Sequence, residues 1–227
     1  MNKVLVLLSG GMDSTTLLHL YVQKGYAVTA LSFNYGQRHE RELSYAAATA
    51  EALGIPHSIM NIDQVFEAFE SQSSLLFGEE VPDGHYAEDV MKKTVVPNRN
   101  MILLSIAAGY AVSKEIPILA YAAHSGDHTI YPDCRPTFVN PLREAMVYCD
   151  WFSVHLVTPF IHLTKGEVAA IGNFLNLDYA TTWSCYKGEE EPCGVCGTCT
   201  ERLEALEQAK TLDGADIIEQ LNELYSF

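Results

Sequence analysis

The residues best suited to chemistry are four cysteines near the C-terminal end of the chain. They follow a C-x7-C-x2-C-x2-C pattern and are Cys185, Cys193, Cys196 and Cys199. Four thiolates at this spacing fit a tetrahedral zinc ion, and four sulfurs leave no open coordination position, so we favour a structural role. An iron–sulfur cluster is the competing interpretation, since C-x2-C-x2-C also occurs in ferredoxins. A redox pair is a weaker alternative.

A second candidate is the sequence SGGMDS, which begins at Ser9 after an apolar run. Gly10 and Gly11 let the backbone turn tightly and bring its N–H groups against a phosphate, and a helix N-terminus adds a favourable dipole. Ser9 and Ser14 offer hydroxyl donors, while Asp13 could bind a magnesium ion or lie at the helix start. The pattern lacks the lysine of a Walker loop and is not G-x-G-x-x-G. Taken alone, it could also be a simple capped turn.

The elements that position these residues can be predicted from hydrophobic periodicity. Strands are expected at 4–9, 27–33, 57–62, 117–123 and 152–160, and helices at 14–25, 38–54, 98–115, 137–149 and 164–174. Residues 63–97 are less regular. Strands separated by single helices predict a parallel sheet with right-handed crossovers. The expected fold class is therefore α/β, a doubly wound, mostly parallel sheet with a C-terminal four-cysteine zinc knuckle.

The pattern changes at about Leu177, which suggests two segments. Residues 1–176 are predicted to form the α/β domain that contains the glycine turn. Residues 177–227 are predicted to form the zinc-binding knuckle with two short helices, packed on the first segment as one unit. Two further cysteines, Cys134 and Cys149, stand alone and are expected to be buried in the core.

Composition and charge limit the classes of partner. Among the 227 residues, 48% are hydrophobic and 19% are charged, as in an ordinary globular protein. The formal net charge of −15 argues against nucleic acid as a partner, because lysine and arginine supply most phosphate-backbone contacts. The chain shows no apolar run of about 18 residues and no signal-like start, so we expect no membrane contact and a cytoplasmic location.

Six stretches together carry a resemblance to a known family. SGGMDS resembles the pyrophosphate loop of the N-type ATP pyrophosphatase (PP-loop) superfamily, whose fold is adenine nucleotide alpha hydrolase-like. The other five are FNYGQRHERE (33–42), VPNRN (96–100), GDHTIYPDCRPTF (126–138), PFIHLTKGE (159–167) and TWSCYKG with CGVCGTCTER (182–202). From residue 3 to about 205, the chain resembles the 7-cyano-7-deazaguanine synthase family of queuosine biosynthesis.

This resemblance implies an ATP-dependent carbon–nitrogen ligase. The expected reaction converts 7-carboxy-7-deazaguanine and ammonia to 7-cyano-7-deazaguanine through adenylated carboxylate and amide intermediates. The implied cofactors are ATP, Mg²⁺ and Zn²⁺, the implied partners are small molecules, and the implied oligomer is a homodimer. An alternative keeps the adenylate but passes it to another amine, on a protein or nucleic acid.

The resemblance also implies roles for individual residues. Those expected to bind ATP and its metal ion are Ser9, Gly10, Gly11, Asp13, Ser14, Arg99 and Asn100. Those expected to act in catalysis are Lys165, Asp13 and Arg135. Those expected to bind the deazaguanine acid are Gln37, Arg38, Asp127, Tyr131, Asp133 and Arg135.

Two more distant alternatives remain open at this stage. A tRNA sulfur-transferase of the same superfamily would need a positively charged RNA surface and separated catalytic cysteines. A non-catalytic nucleotide sensor would need only the glycine turn. Polar residues at several predicted strand ends favour catalysis over a sensor.

Overall fold

A parallel sheet organises the protein in the computed structural model, which describes residues 2–69, 73–76, 81–83, 89–187 and 190–225. The strands are β1 Lys3–Leu7, β2 Ala27–Asn34, β3 His57–Asn61, β4 Ile118–Ala120 and β5 His155–Val157. Their order in the sheet is β3-β2-β1-β4-β5, and every neighbouring pair is parallel. The predicted α/β class is therefore confirmed. Strand order reverses at β1, where the crevice between β1 and β4 is the expected ligand site.

Eight α-helices lie in the described parts of the chain. They are α1 Met12–Gln23, α2 Arg41–Ala52, α3 Asp63–Glu67, α4 Arg99–Ser113, α5 Pro136–Val147, α6 Lys165–Phe174, α7 Gly197–Gln208 and α8 Gly214–Tyr225. None of these helices combines the length and the apolar character needed to cross a membrane. Of the irregular excursion predicted at 63–97, residues 70–72, 77–80 and 84–88 lie outside the described residues, as do 188–189 of the knuckle.

Two hydrophobic clusters cover the faces of the sheet. Alternation along β1 sends Val4 and Val6 into one cluster and Leu5 into the other. The first cluster contains residues of α1, α2 and α6, and the second contains residues of α4 and α5. The sheet is thus covered on both faces, as the alternating pattern predicts for parallel strands.

The last two strands are shorter than predicted. β4 and β5 each contain three residues, whereas the apolar runs predicted strands at 117–123 and 152–160. After β4, Tyr121, Ala122 and Ala123 leave the sheet and line a cavity. An apolar run in the sequence predicts that its residues are buried. It does not show whether they pair with a neighbouring strand of the sheet or line a cavity.

The C-terminal helices share the core of the α/β part. Ile217, Ile218 and Leu221 of α8 belong to the same cluster as Leu177 and the buried residues of α1 and α6. Gly214 begins α8 so close to α6 that an added Cβ would lie 2.2 Å from the Ala170 carbonyl oxygen. The division at residue 176 remains a prediction, and the hydrophobic core is continuous across it.

The two solitary cysteines differ in burial. Cys134 is buried, as predicted. Cys149 is exposed, which corrects the prediction that it lies in the core. It follows the last turn of α5, where the chain passes to the surface before β5 begins.

Candidate active site and cysteine cluster

A cavity of about 220 Å³ opens at the carboxyl ends of β1, β2 and β4. Eight of the predicted site residues line it: Ser9, Asp13, Ser14, Arg99, Asn100, Asp127, Tyr131 and Lys165. Polar or sulfur-bearing residues outside the set of predicted site residues also line it: Ser32, Tyr35, His39, Glu42, Tyr121, Cys134, Tyr186 and Thr198. The position agrees with the rule that ligands of open α/β sheets bind beyond the carboxyl strand ends, at the point where strand order reverses.

The glycine turn is held in shape by its own polar groups. The Gly11 amide donates to Ser9 Oγ at 3.2 Å, and the Ser9 and Ser14 hydroxyl oxygens lie 3.0 Å apart. Gly10 has φ +90°, and a Cβ there would lie 2.1 Å from the Glu42 carbonyl oxygen. Glycine is therefore required at position 10 both by its dihedral angle and by the close approach of α2.

Replacing Gly10 with alanine should separate these two requirements from each other. Gly25 provides the matched control, because it has φ +75° with nothing within 4 Å of an added Cβ. We expect Gly25→Ala to cost about 1–2 kcal/mol from strain alone. Gly10→Ala should cost clearly more and abolish binding of a non-hydrolysable ATP analogue, because α2 must move. Chemical denaturation measures the stability of each variant, and calorimetric titration measures its affinity for the analogue. Equal losses of stability in the two variants would contradict the role of the close approach of α2 to Gly10.

A group of buried charges forms one end of the cavity. Lys165 Nζ lies 2.6 Å from Glu201 Oε2 and 3.4 Å from Asp13 Oδ2. His124 Nε2 lies 3.6 Å from a carboxylate oxygen of Asp13 and 3.6 Å from one of Asp127. Of this group, Asp13, Asp127 and Lys165 line the cavity, so a phosphate on the adjacent glycine turn would lie near the Lys165 ammonium.

The neighbours of these groups fix their charge at neutral pH. Burial alone would raise the pKa of Asp13, but Lys165 and His124 lower it well below its usual range. Burial would lower the pKa of Lys165, but Asp13 and Glu201 raise it above its usual value. For His124, burial is outweighed by Asp127 and Asp13, which raise its pKa to about 9. The site therefore contains an ammonium and an imidazolium held by carboxylates.

The chemistry of Asp13 fits a magnesium–ATP complex. Its Oδ2 faces Lys165 and His124, whereas its Oδ1 is buried without a hydrogen-bond partner among the described residues. Carboxylate oxygens are the preferred ligands of Mg²⁺, which proteins usually bind through one or two carboxylates together with substrate phosphates. Asp13 and the adjacent glycine turn supply both halves of such a site.

The other end of the cavity is aromatic and contains a buried arginine. The Arg99 guanidinium lies 5.9 Å from the ring centroid of Tyr35 and 5.8 Å from that of Tyr131. Burial raises the pKa of Glu42 to about 8, against the opposing effects of Arg99 and Gln37. Burial and Arg99 together lower the pKa of His39 to about 3. Aromatic walls with a few polar groups suit a planar heterocycle.

The raised pKa of Glu42 predicts a pH-dependent effect of Glu42→Gln on stability. A native carboxyl with a raised pKa stabilises the protein at low pH, and this stabilisation is lost as the pH rises through about 8. Glutamine removes this dependence, so its advantage over glutamate should grow by about 3–5 kcal/mol between pH 5 and pH 9. Urea unfolding at each pH measures the free energy of unfolding of both proteins. Because both contain His39, its contribution cancels in the difference between them. Parallel pH curves would contradict the burial of a neutral Glu42.

Besides Gly10 and Gly11 of the glycine turn, four of the predicted site residues do not line the cavity. Gln37 is buried and accepts a hydrogen bond from the Tyr35 amide at 2.9 Å, while its Nε2 donates to the Phe33 carbonyl at 3.2 Å. Arg38 is exposed on the loop before α2, which begins at Arg41 rather than at position 38. Gln37 therefore stabilises the turn after β2, and Arg38 follows this turn on the surface.

The other two residues of this group hold the loop after β4. Asp133 accepts a hydrogen bond from the Asn100 amide at 3.1 Å, at the start of α4. Arg135 Nε donates to the His128 carbonyl at 2.6 Å. Both side chains are thus engaged with backbone groups, and the substrate contacts expected of them remain predictions.

Two residues of the charged group were missed by the sequence analysis. His124 follows β4 closely and could have been found as a polar residue at a strand end. Glu201 comes from α7, and no local pattern connects it to the glycine turn. Only the packing of α7 against α6 brings its carboxylate to Lys165.

The four predicted cysteines meet in one cluster. The Sγ atoms of Cys185, Cys193, Cys196 and Cys199 all lie within 4.8 Å of one another. Backbone amides donate to two of the sulfurs: the Cys193 amide to Cys185 at 3.5 Å and the Cys196 amide to Cys193 at 3.3 Å. Gly194 has φ +74° in the tight turn between ligands. This grouping confirms a site suited to a metal ion.

Comparison with known proteins agrees with this geometry. The family model of "Queuosine biosynthesis protein QueC" matches residues 3–210. The chain is 51% identical over 211 residues to a 7-cyano-7-deazaguanine synthase of Methanoregula boonei, covering 93% of this chain and 97% of the relative. It is 52% identical over 210 residues to one from Marinomonas sp., covering 92% and 95%.

A solved structure shows the same fold at lower identity. NMN synthetase from Francisella tularensis superposes with a TM-score of 0.51 at 20% identity, covering 99% of this chain and 84% of that one. The likeness extends to the fold alone. With the family model and the curated relatives spanning nearly the whole chain, the protein belongs to the QueC family of queuosine biosynthesis proteins.

Proposed function

We propose that the protein converts 7-carboxy-7-deazaguanine, ammonia and ATP to 7-cyano-7-deazaguanine. The observation that carries this proposal is that one cavity joins Ser9 and Ser14 of the glycine turn and Lys165 at one end to tyrosines and Arg99 at the other. The curated relatives with about half of their residues identical are named for this synthesis. An acid bound among the aromatic rings would present its carboxylate toward the nucleotide.

The reaction needs two activations, and the same charged group serves both. A carboxylate oxygen of the acid attacks the α-phosphorus of ATP, and pyrophosphate leaves. Lys165 offsets the charge that builds on the phosphate oxygens, because a buried cation acts strongly where water is excluded. Ammonia then attacks the acyl carbon, a proton is lost and AMP leaves, which gives the amide. The amide oxygen then attacks the α-phosphorus of a second ATP and pyrophosphate leaves, and loss of AMP and two protons gives the nitrile.

The remaining groups of the site position the reactants. The glycine turn with Ser9 and Ser14 would bind the phosphates, and Asp13 would hold a magnesium ion that neutralises their charge. Asn100 and Arg99 begin α4 beside the aromatic end, where they can meet nucleotide or acid. Asp127 and Tyr131 line the same wall, which suits contacts with the heterocycle.

The test is a product analysis with the purified protein. Incubation with the acid, ammonium and magnesium–ATP should give the nitrile by mass spectrometry, with one AMP and one pyrophosphate for each activation. Absence of the nitrile would overturn the proposal. Formation of an adduct with a protein or nucleic-acid amine would favour the alternative acceptor.

Three further features complete the proposal. We infer that the cysteine cluster binds zinc, because four thiolates in a closed site suit its tetrahedral coordination. We also propose a homodimer and a cytoplasmic location, both on the resemblance to the family. Sedimentation of the purified protein tests the oligomeric state.

A further inference from the structure

We propose that Glu201 is a positioning residue for Lys165 and that the four-cysteine cluster sets its place. The inference rests on the proposed function, in which Lys165 stabilises phosphate charge. Glu201 belongs to α7 and none of the sequence motifs assigns it a role. Its carboxylate lies 2.6 Å from the Lys165 ammonium, closer than the Asp13 carboxylate at 3.4 Å.

Lys165 lies where an ammonium needs a permanent counter-charge. It is the first residue of α6, next to the Thr164 cap, and the positive end of the helix dipole disfavours a cation there. Its side chain is only 11% exposed, so water compensates little of that cost. A carboxylate that is not used by the reaction can hold the ammonium throughout the catalytic cycle.

Glu201 also keeps the Lys165 ammonium from moving closer to the Asp13 carboxylate. Lys165 Nζ contacts both carboxylates and is nearer to Glu201, at 2.6 Å, than to Asp13, at 3.4 Å. Without the charge of Glu201, the ammonium would move toward Asp13. That carboxylate would then be less available to a divalent cation.

The cysteine cluster fixes the position from which Glu201 acts. Cys196 is the N-cap of α7, Cys199 lies in its first turn, and Glu201 follows two residues later. The Glu201 carboxylate packs against Gly126, where an added Cβ would lie 3.1 Å from Oε1. A metal ion on the thiolates therefore fixes the start of the helix that delivers this carboxylate.

A second contact joins the same lobe to the glycine turn. Arg202 donates to Thr182 Oγ1 at 2.8 Å and to Ser184 Oγ at 3.1 Å, which ties α7 to the segment before the cysteines. Between them, the Trp183 amide donates to the Gly10 carbonyl at 2.9 Å. The lobe thus contacts the cavity at both the phosphate turn and the lysine.

The experiment compares Glu201→Gln with the wild type, Glu201→Asp and Glu207→Gln. Glu207 is an exposed residue of the same helix and serves as the matched control. Acid-dependent ATP–pyrophosphate exchange measures activation. We expect Glu201→Gln to lower kcat about 100-fold and to raise the KM for magnesium–ATP by no more than about 10-fold, because the ammonium is misplaced rather than lost. Glu201→Asp should recover part of the rate, and Glu207→Gln should match the wild type.

Manganese(II) binding provides a readout independent of turnover. In the presence of a non-hydrolysable ATP analogue, Glu201→Gln should bind manganese about 10-fold more weakly than the wild type. Its melting temperature and metal content at the cysteines should be unchanged. Wild-type exchange and manganese affinity in Glu201→Gln would overturn the inference. Losses that track the melting temperature or the cysteine-bound metal in both Glu201 variants would also overturn it.

The two proposals fail in distinguishable ways. If the wild type shows no acid-dependent exchange, the proposed function fails, while the manganese titration still tests Glu201. If the wild type shows exchange but makes no nitrile, only the acceptor is wrong. If the wild type makes the nitrile and Glu201→Gln matches it in exchange and manganese affinity, only the positioning role of Glu201 is wrong.

Discussion

Lys165→Met should slow acid-dependent ATP–pyrophosphate exchange by about 100- to 1,000-fold, the loss typical of removing one preorganised charge stabiliser from a transition state. Lys165 Nζ is a buried ammonium beside Asp13 and the glycine turn, and methionine keeps the apolar stem of the side chain while removing the charge and its N–H donors. ATP analogue binding should weaken much less than the rate, because the backbone turn still binds the phosphates.

Arginine should not restore the rate at position 165. The ammonium fits between single oxygens of Asp13 and Glu201 as a compact point charge, whereas a guanidinium is planar and needs paired acceptors. Lys210→Met is the matched control, since Lys210 is exposed at the end of α7. Recovery of the rate by Lys165→Arg would contradict the geometry of the site.

The same substitution should destabilise the protein. Removing the ammonium leaves Asp13 and Glu201 without their shared cation, and loss of one partner of a buried ion pair costs about 3–5 kcal/mol. Exchange should therefore be measured well below the melting temperature of the variant. A large rate loss in protein that remains folded separates the catalytic role from the structural one.

Local sequence patterns predicted the parts of the site that are continuous in the chain. The glycine turn depends on a strand end, two glycines and a helix start, which lie within a few residues of one another. The start of α6 was predicted at residue 164, where the Glu167 amide donates to Thr164 Oγ1 at 3.2 Å. The spacing of the four cysteines was enough to predict a metal-binding cluster.

The sequence could not show the direction of polar side chains at the strand ends. The family resemblance implied contact with substrate for Gln37 and Arg135, and this remains a prediction. In the structure, both side chains hydrogen-bond to backbone groups of loops. Conversely, Glu42 and Tyr35 reach the cavity through the packing of α2 and the turn after β2, which depends on tertiary contacts.

Loss of a cysteine ligand is the second large effect that we expect. Cys196 is fully buried and is the N-cap of α7, so Cys196→Ser removes a thiolate at the point where the cluster meets the helix. Three thiolates cannot complete a closed tetrahedral site, and binding of a structural metal is folding free energy. Wild-type protein purified in air should contain about one zinc per chain and be colourless. The variant should contain much less, and a brown iron-containing wild type would contradict zinc.

The consequence of metal loss should be local because the C-terminal helices share the main core. Ile218 and Leu221 of α8 pack with α1 and α6, so hydrogen exchange in Cys196→Ser should rise in 183–201 but not in α8 or the sheet. Since Glu201 lies within that segment, activation should fall together with the metal content. Cys149→Ser provides the control, because Cys149 is exposed and outside the cluster. Full activity in metal-depleted protein would separate the cluster from the active site.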